Sequence, residues 1–209
     1  MCFTDQVTPP GSDEALSRRQ AALHAEATDV LTELDLAATL AETGTMLLTG
    51  SYVSHLMCWP EVDVMVHAGA GFTPADVLRL LQRIVAHPAV VGFDYRDERG
   101  PRSPTGTARD ERYHVPIAVA LNHQSWRIDL TIWLNDPHTN IVTWHETLRD
   151  TITPDQRSAV LRIKDAWHTL PSYPDQVGGL QIYNAVLDDG VRTPAQFATW
   201  LATHGYPDH

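Results

Sequence analysis

The sequence predicts an α+β protein, in which a small mixed β-sheet is flanked by helices and followed by a C-terminal helical lobe. The strand-like segments, some apolar and some alternating between apolar and polar residues, are confined to residues 46–134. Helical spacing of apolar residues precedes that region and resumes after Pro137, continuing to the end of the chain. We therefore expect a flexible arm over residues 1–13, an α/β domain over 14–136 and a helical lobe over 137–209.

The predicted elements alternate in type along the first part of the chain. A helix, or two helices joined near Asp29, begins at Ser12 or Asp13 and runs to about Ala41. The remaining predicted helices cover residues 52–58, 74–87, 138–150, 154–169, 175–189 and 194–203, with Thr73 as an N-cap and Pro74 at a first helical position. The predicted strands cover residues 46–49, 61–67, 90–95, 113–121 and 125–134.

Two features of the strand region concern its loops and edges. Residues 96–112 hold two prolines and two glycines among charged residues, and this pattern predicts either a loop near the substrate or a disordered loop. The last two strands form a hairpin across Asn122-His123-Gln124. Pro116 lies inside the first of them and predicts an edge strand or a bulge, because proline has no N–H to donate.

Two acidic residues lie side by side on the second predicted strand. The apolar run Met46-Leu47-Leu48 ends at Gly50-Ser51, and the chain later alternates from Glu61 to Val66. In a strand, Glu61 and Asp63 share one face and repel each other unless a positive charge lies between them. A divalent cation with oxygen ligands supplies that charge. The alternative is that both acids belong to the exposed face of an ordinary amphipathic strand.

A third acidic residue occupies an equivalent position on a later strand. In Trp126-Arg127-Ile128-Asp129-Leu130-Thr131-Ile132, the apolar residues alternate with polar ones, so Asp129 lies on the polar face. Arg127, one pleat away, is expected to form an ion pair with a nearby carboxylate.

These positions resemble the nucleotidyltransferase superfamily of DNA polymerase β type. The matching residues are the Gly50-Ser51 turn after the first strand, Glu61 and Asp63 on the second, and Asp129 on a later one. Within that superfamily, the size and helical lobe are similar to those of enzymes that modify aminoglycosides and lincosamides. The resemblance implies a fold with a small sheet and a helical lobe, Mg²⁺ as cofactor with two ions, and ATP or another nucleoside triphosphate as donor.

The resemblance also implies a role for each matching residue. Glu61 and Asp63 would bind the metal ions, and Asp129 would either complete the metal site or accept the proton of the acceptor hydroxyl. Gly50 would let the backbone approach the triphosphate, and Ser51 would donate a hydrogen bond to it. Lys164, the only lysine, would contribute a cation to the phosphates, the alternative being a solvated lysine beside Asp165.

Charge and composition limit the partners of the protein. The formal net charge of −11 at pH 7 disfavours a nucleic-acid partner, since binding to phosphate backbones needs a basic surface. It favours a small-molecule acceptor. No apolar run is long enough to cross a membrane and the first residues do not resemble a signal peptide, so we expect a cytoplasmic protein. Cys2 and Cys58 are too few for a disulfide scaffold or a cysteine zinc site.

The predicted activity is Mg²⁺-dependent transfer of a nucleoside monophosphate to a hydroxyl of a small molecule such as an antibiotic. The expected donor is ATP, which would supply AMP. A second hypothesis is a catalytically degenerate relative that acts as a nucleotide-binding or scaffold module. A third, an RNA-tailing enzyme, requires a basic track that the sequence lacks. The oligomeric state stays open.

Overall fold

A computed structural model describes residues 11–174 and 176–206 of the chain. Most of the predicted arm over residues 1–13 lies outside these residues, and the first helix begins at Asp13. The contacts divide the chain into two compact units. Among the described residues, the first unit comprises 11–23, 56–59, 151–174 and 176–206, and the second comprises 24–55 and 60–150.

Eight α-helices and six strands are present among the described residues. The helices are α1 (Asp13–Glu33), α2 (Leu36–Leu40), α3 (Gly50–Val53), α4 (Pro74–Ile84), α5 (Thr139–Thr151), α6 (Pro154–Trp167), α7 (Gly179–Leu187) and α8 (Pro194–Thr203). The strands are β1 (Met46–Thr49), β2 (Glu61–His67), β3 (Val90–Phe93), β4 (Arg96–Glu98), β5 (Arg112–Leu121) and β6 (Gln124–Trp133). The long N-terminal helix is divided at Asp35, whose φ of 45° interrupts the helical path.

The second unit is built on one mixed sheet with the strand order β1-β2-β6-β5-β3, and β4 pairs with β5. β2 and β6 are parallel, and the other neighbouring strands are antiparallel. The predicted small mixed sheet is therefore confirmed. The parallel pairing joins β2 and β6, which a long stretch of chain separates.

One face of this sheet is apolar and buried. The residues that alternate with the acids on β2 and β6 have no solvent exposure: Val62, Val64, Val66, Ile128, Leu130 and Ile132. Burying a side chain of this size contributes about 1.5–3 kcal/mol to folding. α4 is amphipathic and buries Val77, Leu80, Leu81 and Ile84. Because side chains in a strand alternate, the acids of β2 and β6 lie on the opposite, half-buried face.

The prediction that Pro116 marks an edge strand is wrong, since β5 lies between β6 and β3. β5 pairs with β4 before Pro116 and with β3 after it, so the proline occupies the interval between two partners. Its carbonyl accepts a hydrogen bond from Asp94 N at 2.9 Å. The N and C=O of one strand residue point toward the same neighbouring strand. The nitrogen of Pro116, which has no hydrogen to donate, therefore faces the gap between β4 and β3, and the pairing of β5 with β6 loses no hydrogen bond.

The segment predicted as a long loop, residues 96–112, contains more structure than expected. Arg96–Glu98 forms β4, and short 3₁₀ turns follow at Gly100–Arg102 and Ala108–Asp110. Backbone pairing with β5 therefore holds the first part of this segment in place.

The first unit contains the three helices α6, α7 and α8, which pack against one another. α6 begins with a capping box, in which Thr153 and Gln156 satisfy each other's backbone N–H groups, and Pro154 occupies the first turn. α8 begins in the same way with Thr193 and Gln196. In the described part of the chain, no helix combines the length and the apolar character that a membrane span requires.

Candidate functional site

Three carboxylates meet on the polar face of the sheet. Asp63 on β2 is the register partner of Asp129 on β6, and Glu61 lies one pleat before Asp63 on the same face. One oxygen atom of each of these three carboxylates lies within 4.8 Å of the other two. Among residues 11–174 and 176–206, no other group of three or more His, Cys, Asp or Glu side chains is arranged in this way.

Gly50 packs directly against one of the acids. It follows β1, whose last residue, Thr49, is the register partner of Asp63. Gly50 has a φ of 63°, and a Cβ built on it would lie 1.8 Å from Asp63 Oδ2. Glycine is therefore needed at this position for two reasons, the left-handed backbone and the space occupied by the carboxylate. That Gly50 lets the backbone approach the triphosphate stays a prediction.

Ser51 is the second residue of α3 and is partly exposed. It lies directly after Gly50, and its role in binding phosphate stays a prediction. The hydroxyl oxygen of Thr49 is buried and makes no hydrogen bond within the described residues. The predicted short helix over residues 52–58 begins earlier than expected, at Gly50 itself.

Arg127 lies between two of the acids. Its Nε is 3.6 Å from Glu61 Oε2, and one terminal nitrogen is 3.9 Å from Asp129 Oδ2. The predicted ion pair of Arg127 with a nearby carboxylate is thus confirmed. Both distances exceed that of a hydrogen bond, and the side chain is 42% exposed, so each of these two ion pairs is weak.

His114 on β5 is the residue that the sequence analysis missed. Its Nε2 atom hydrogen-bonds to Asp129 Oδ1. The alternation of β5 could have pointed to it, because His114 lies on the same face as Asp129 once β5 and β6 are paired. Histidine at a single strand position is, however, too common for its spacing alone to indicate a site.

The pKa of Asp129 reflects these neighbours. Burial raises the pKa of this carboxyl group, but the hydrogen bond from His114 and the positive charges of His114, Arg127 and Arg112 together outweigh that effect. The pKa of Asp129 is therefore below its ordinary value. Asp129 is negatively charged at neutral pH, as a metal ligand or a proton acceptor must be.

Lys164 lies in the first unit and is almost completely buried. It is 2% exposed, its Nζ donates a hydrogen bond to the carbonyl of Leu56 at 2.8 Å, and Nζ lies 4.8 Å from the centre of the Trp59 ring. The alternative of a solvated lysine beside Asp165 is wrong, since Lys164 is buried, and Asp165 pairs instead with Arg19 at 2.8 Å. No ion pair between Lys164 and a carboxylate occurs within the part of the chain that the structure describes.

A groove lies on the sheet beside the acids. Its volume is about 400 Å³, and Arg127 forms part of its wall. On β3 and β5, the residues that lie on the same face as Asp129 and line the groove have short or rigid side chains: Gly92, Pro116 and Ala118. Pro116 is the register partner of Asp129 and Ala118 that of Arg127, so the groove begins on the strand next to the acids.

The three carboxylates fit a hard divalent cation. Mg²⁺ prefers carboxylate oxygens and retains water or substrate oxygens in its remaining positions. The site matches that donor chemistry, because three acids converge there and no cysteine is among the grouped residues. Gly50 leaves the space that one of these acids occupies. The identity and the number of the ions remain predictions.

Comparison with solved structures identifies the fold. No protein-family model and no curated protein sequence matches this chain. A solved poly(A) polymerase complex of GLD-2 and GLD-3 superposes with a TM-score of 0.51 over 92% of this chain and 67% of that chain, at 10% identity. The chain has the nucleotidyltransferase fold. The resemblance expected from Gly50, Ser51 and the three acids is therefore confirmed at the level of the fold.

A further solved structure also superposes on this chain. This is CdnC of E. coli MS115-1 with ATP, at a TM-score of 0.49 and 12% identity, over 88% of this chain and 66% of that chain. The chain thus spans about two thirds of the length of each of these two structures.

Proposed function

We propose that this protein is a Mg²⁺-dependent nucleotidyltransferase that moves a nucleoside monophosphate, AMP from ATP in the first instance, to a hydroxyl of a small molecule. The observation that carries the proposal is the convergence of Glu61, Asp63 and Asp129 to within 4.8 Å, with Gly50 packed against them. The nucleotidyltransferase fold supports the same reaction. A cytoplasmic location agrees with this function and stays a prediction.

The proposed reaction replaces the phosphoanhydride bond at the α-phosphorus of ATP with a phosphoester bond to the acceptor. The acceptor oxygen attacks the α-phosphorus, the bond between that phosphorus and the bridging oxygen breaks, and pyrophosphate leaves with the bonding electrons. Glu61, Asp63 and Asp129 would hold Mg²⁺, which neutralises the phosphate charge that grows in the transition state. In the base role, Asp129 takes the proton of the acceptor hydroxyl, and its low pKa keeps it ionised for that purpose.

The phosphate-binding residues in the proposal are Gly50, Ser51 and Lys164. Gly50 offers a backbone without a Cβ beside Asp63, and the Ser51 hydroxyl follows it in the chain. Lys164 has a buried ammonium group whose charge no carboxylate balances among the described residues. Its Nζ already donates a hydrogen bond to the Leu56 carbonyl and lies over the Trp59 ring, so its contact with a phosphate is proposed from the sequence resemblance alone.

A small-molecule acceptor is supported by the groove beside Arg127. A volume of about 400 Å³ is within the range of pockets for ligands of drug size. The floor of Gly92, Pro116 and Ala118 is uncharged, so a ring with hydroxyl groups can pack on it beside Arg127. Hydroxylated antibiotics such as aminoglycosides and lincosamides belong to this class of acceptor and are the first molecules to screen.

Calorimetric titration with a non-hydrolysable ATP analogue tests the proposed donor site. We expect binding to wild-type protein that requires Mg²⁺ and is lost in Asp63→Asn. Glu33→Gln removes one negative charge from an exposed position and serves as the matched control, with unchanged binding. Absence of binding by well-folded wild-type protein would contradict the proposal. If the analogue binds but ATP releases no pyrophosphate with the acceptors that are screened, the result would instead support the nucleotide-binding or scaffold alternative.

A pair of tryptophan substitutions on β5 tests the acceptor site. Ala118→Trp fills the groove, and Ala120→Trp places the same side chain two residues further along the same face, outside the groove lining. With an acceptor found by screening, we expect Ala118→Trp to raise its KM by about tenfold or more, while binding of the ATP analogue is unchanged. Equal effects of both substitutions would show that the acceptor binds elsewhere.

A further inference from the structure

Charged side chains lie near His114 on the side of its ring that faces away from Asp129. The side chains of His114 and Asp129 are 12% and 22% exposed, so their contact is largely shielded from water. On the other side of the imidazole ring, Nδ1 of His114 lies 4.0 Å from Glu98 Oε1, close enough for an electrostatic interaction but too far for a hydrogen bond. Glu98 in turn accepts a hydrogen bond from Arg112 Nε at 2.5 Å.

This arrangement depends on the pairing of β4 with β5. Glu98 is the register partner of Arg112, and Arg96 is that of His114. Glu98, His114 and Asp129 therefore lie on the same face of the sheet, on three neighbouring strands. The order across the sheet is β4, β5, β6, which ends at the acids.

The direction of the hydrogen bond follows from the chemistry of its partners. An ionised carboxylate can only accept, so Nε2 of His114 carries the proton and donates it to Asp129 Oδ1. Asp129 Oδ2 is 3.9 Å from Arg127 and makes no hydrogen bond among the described residues. His114 thus restricts the rotation of the Asp129 carboxylate and leaves one oxygen atom available.

We propose that His114 is a positioning residue for Asp129, and that Glu98 supports it from β4. The proposal rests on the proposed function, in which Asp129 binds the metal ion or accepts the acceptor proton. It gives the first part of residues 96–112 a supporting role in the site, instead of the substrate-side or disordered loop that the sequence predicts. Groups that hydrogen-bond to metal ligands typically change metal affinity by about 10–100-fold when removed.

Titration calorimetry with Mn²⁺ on the full chain measures this role without any need for turnover. We expect His114→Ala to weaken Mn²⁺ binding by about 10–100-fold, and His114→Gln, whose amide can still donate, to retain most of the affinity. His67→Ala, at an exposed histidine on β2, is the matched control and leaves the affinity unchanged. Circular dichroism establishes that each variant is folded, and His114→Gln keeps the test valid if the alanine variant is not.

A double-mutant cycle separates the role of Glu98 from that of His114. If Glu98 acts through His114, Glu98→Ala weakens Mn²⁺ binding in wild-type protein but has no further effect in His114→Ala. Additive losses would overturn the role assigned to Glu98. Unchanged Mn²⁺ affinity in His114→Ala, in protein whose wild type binds the ion, would overturn the positioning role of His114. A wild type that binds neither Mn²⁺ nor the ATP analogue would instead contradict the proposed function, and the positioning role with it.

Discussion

At Gly50, the backbone and an acidic side chain occupy the space that any other residue would need. The φ of 63° is unfavourable for residues with a Cβ, and a Cβ would lie 1.8 Å from Asp63 Oδ2. A substitution at Gly50 therefore displaces either the turn after β1 or the carboxylate. Both changes disturb the acids, so the position links local backbone geometry to the proposed metal site.

Gly50→Ala is expected to reduce both stability and binding. The left-handed backbone alone costs roughly 1–2 kcal/mol, and the contact with Asp63 adds to that cost. Gly69→Ala is a matched control, because Gly69 has a φ of 82° but a Cβ added there would meet nothing within 4 Å. Urea denaturation measures both losses in stability, and calorimetry measures binding of the ATP analogue. Equal losses in the two variants, with binding retained in both, would contradict the packing argument.

The low pKa of Asp129 predicts how stability depends on pH. A carboxyl group whose pKa is lower in the folded state stabilises the protein above its unfolded pKa, about 3.9 for aspartate. That stabilisation is lost as the pH falls through the lower folded-state pKa. In metal-free buffer, we expect Asp129→Asn to lower Tm at pH 7, and the difference from wild type to diminish below about pH 4. A difference in Tm that is constant from pH 7 to pH 3 would contradict the prediction.

A bound ion should stabilise the folded protein through the same three carboxylates. At a free concentration of 100 times its Kd, a ligand that binds only the folded state contributes about 2.7 kcal/mol. We expect Mg²⁺ to raise the Tm of wild-type protein and to leave the Tm of Glu61→Gln and Asp63→Asn almost unchanged. Differential scanning fluorimetry with Mg²⁺ and with EDTA makes this measurement. A similar increase in all three proteins would show that the ion binds elsewhere.

At the scale of elements, the hairpin between β5 and β6 determines where Asp129 lies relative to His114. The turn consists of Asn122 and His123, whose φ values are 51° and 64°. Two consecutive left-handed residues are typical of a type I′ turn, in which asparagine followed by glycine is preferred. Asn122 suits the first position, whereas His123 retains the steric cost of a Cβ in a left-handed conformation.

His123→Gly is therefore expected to stabilise the protein. Relief of the left-handed conformation contributes up to about 1 kcal/mol, since glycine also gains entropy in the unfolded chain. For a chain of this length, a gain of 1 kcal/mol raises Tm by roughly 2–4 °C. His67→Gly, within β2, serves as a control that should lower Tm. A decrease in Tm for His123→Gly would show that the histidine side chain contributes to the turn.

At the scale of the whole molecule, the charge balance disfavours the binding of a nucleic acid, which stays a prediction. The formal net charge is −11, and one lysine and fourteen arginines are distributed along the sequence. Many of the arginines are already paired with carboxylates, among them Arg19, Arg83, Arg99 and Arg162. Little positive charge is left to neutralise a phosphate backbone, although the fold is shared with a poly(A) polymerase complex.

A gel-shift experiment with an oligoadenylate examines this consequence of the charge. We expect no retardation even at low ionic strength, where binding to a phosphate backbone is strongest. Retardation that weakens steeply as salt is added would reveal a basic track and would favour an RNA acceptor over a small molecule.

The amino-acid sequence by itself determined the features that depend on neighbours along the chain. Alternation placed Glu61 and Asp63 on one face of a strand, and Thr73-Pro74 and Pro154 marked helix starts that the structure confirms. The matching Gly50-Ser51 turn and the three acids were sufficient to predict the nucleotidyltransferase fold. Local periodicity and capping depend on the backbone geometry of a few consecutive residues, so a single sequence records them.

Only the tertiary structure decided which of these residues meet. The parallel pairing of β2 with β6 makes Asp63 the partner of Asp129, and the antiparallel pairing of β5 brings His114 to the same carboxylate. The burial of Lys164 and the pairing of β4 were likewise not predicted. The physical reason is that strand order and register arise from the packing of distant segments, and no periodicity within one segment specifies its neighbour across the sheet.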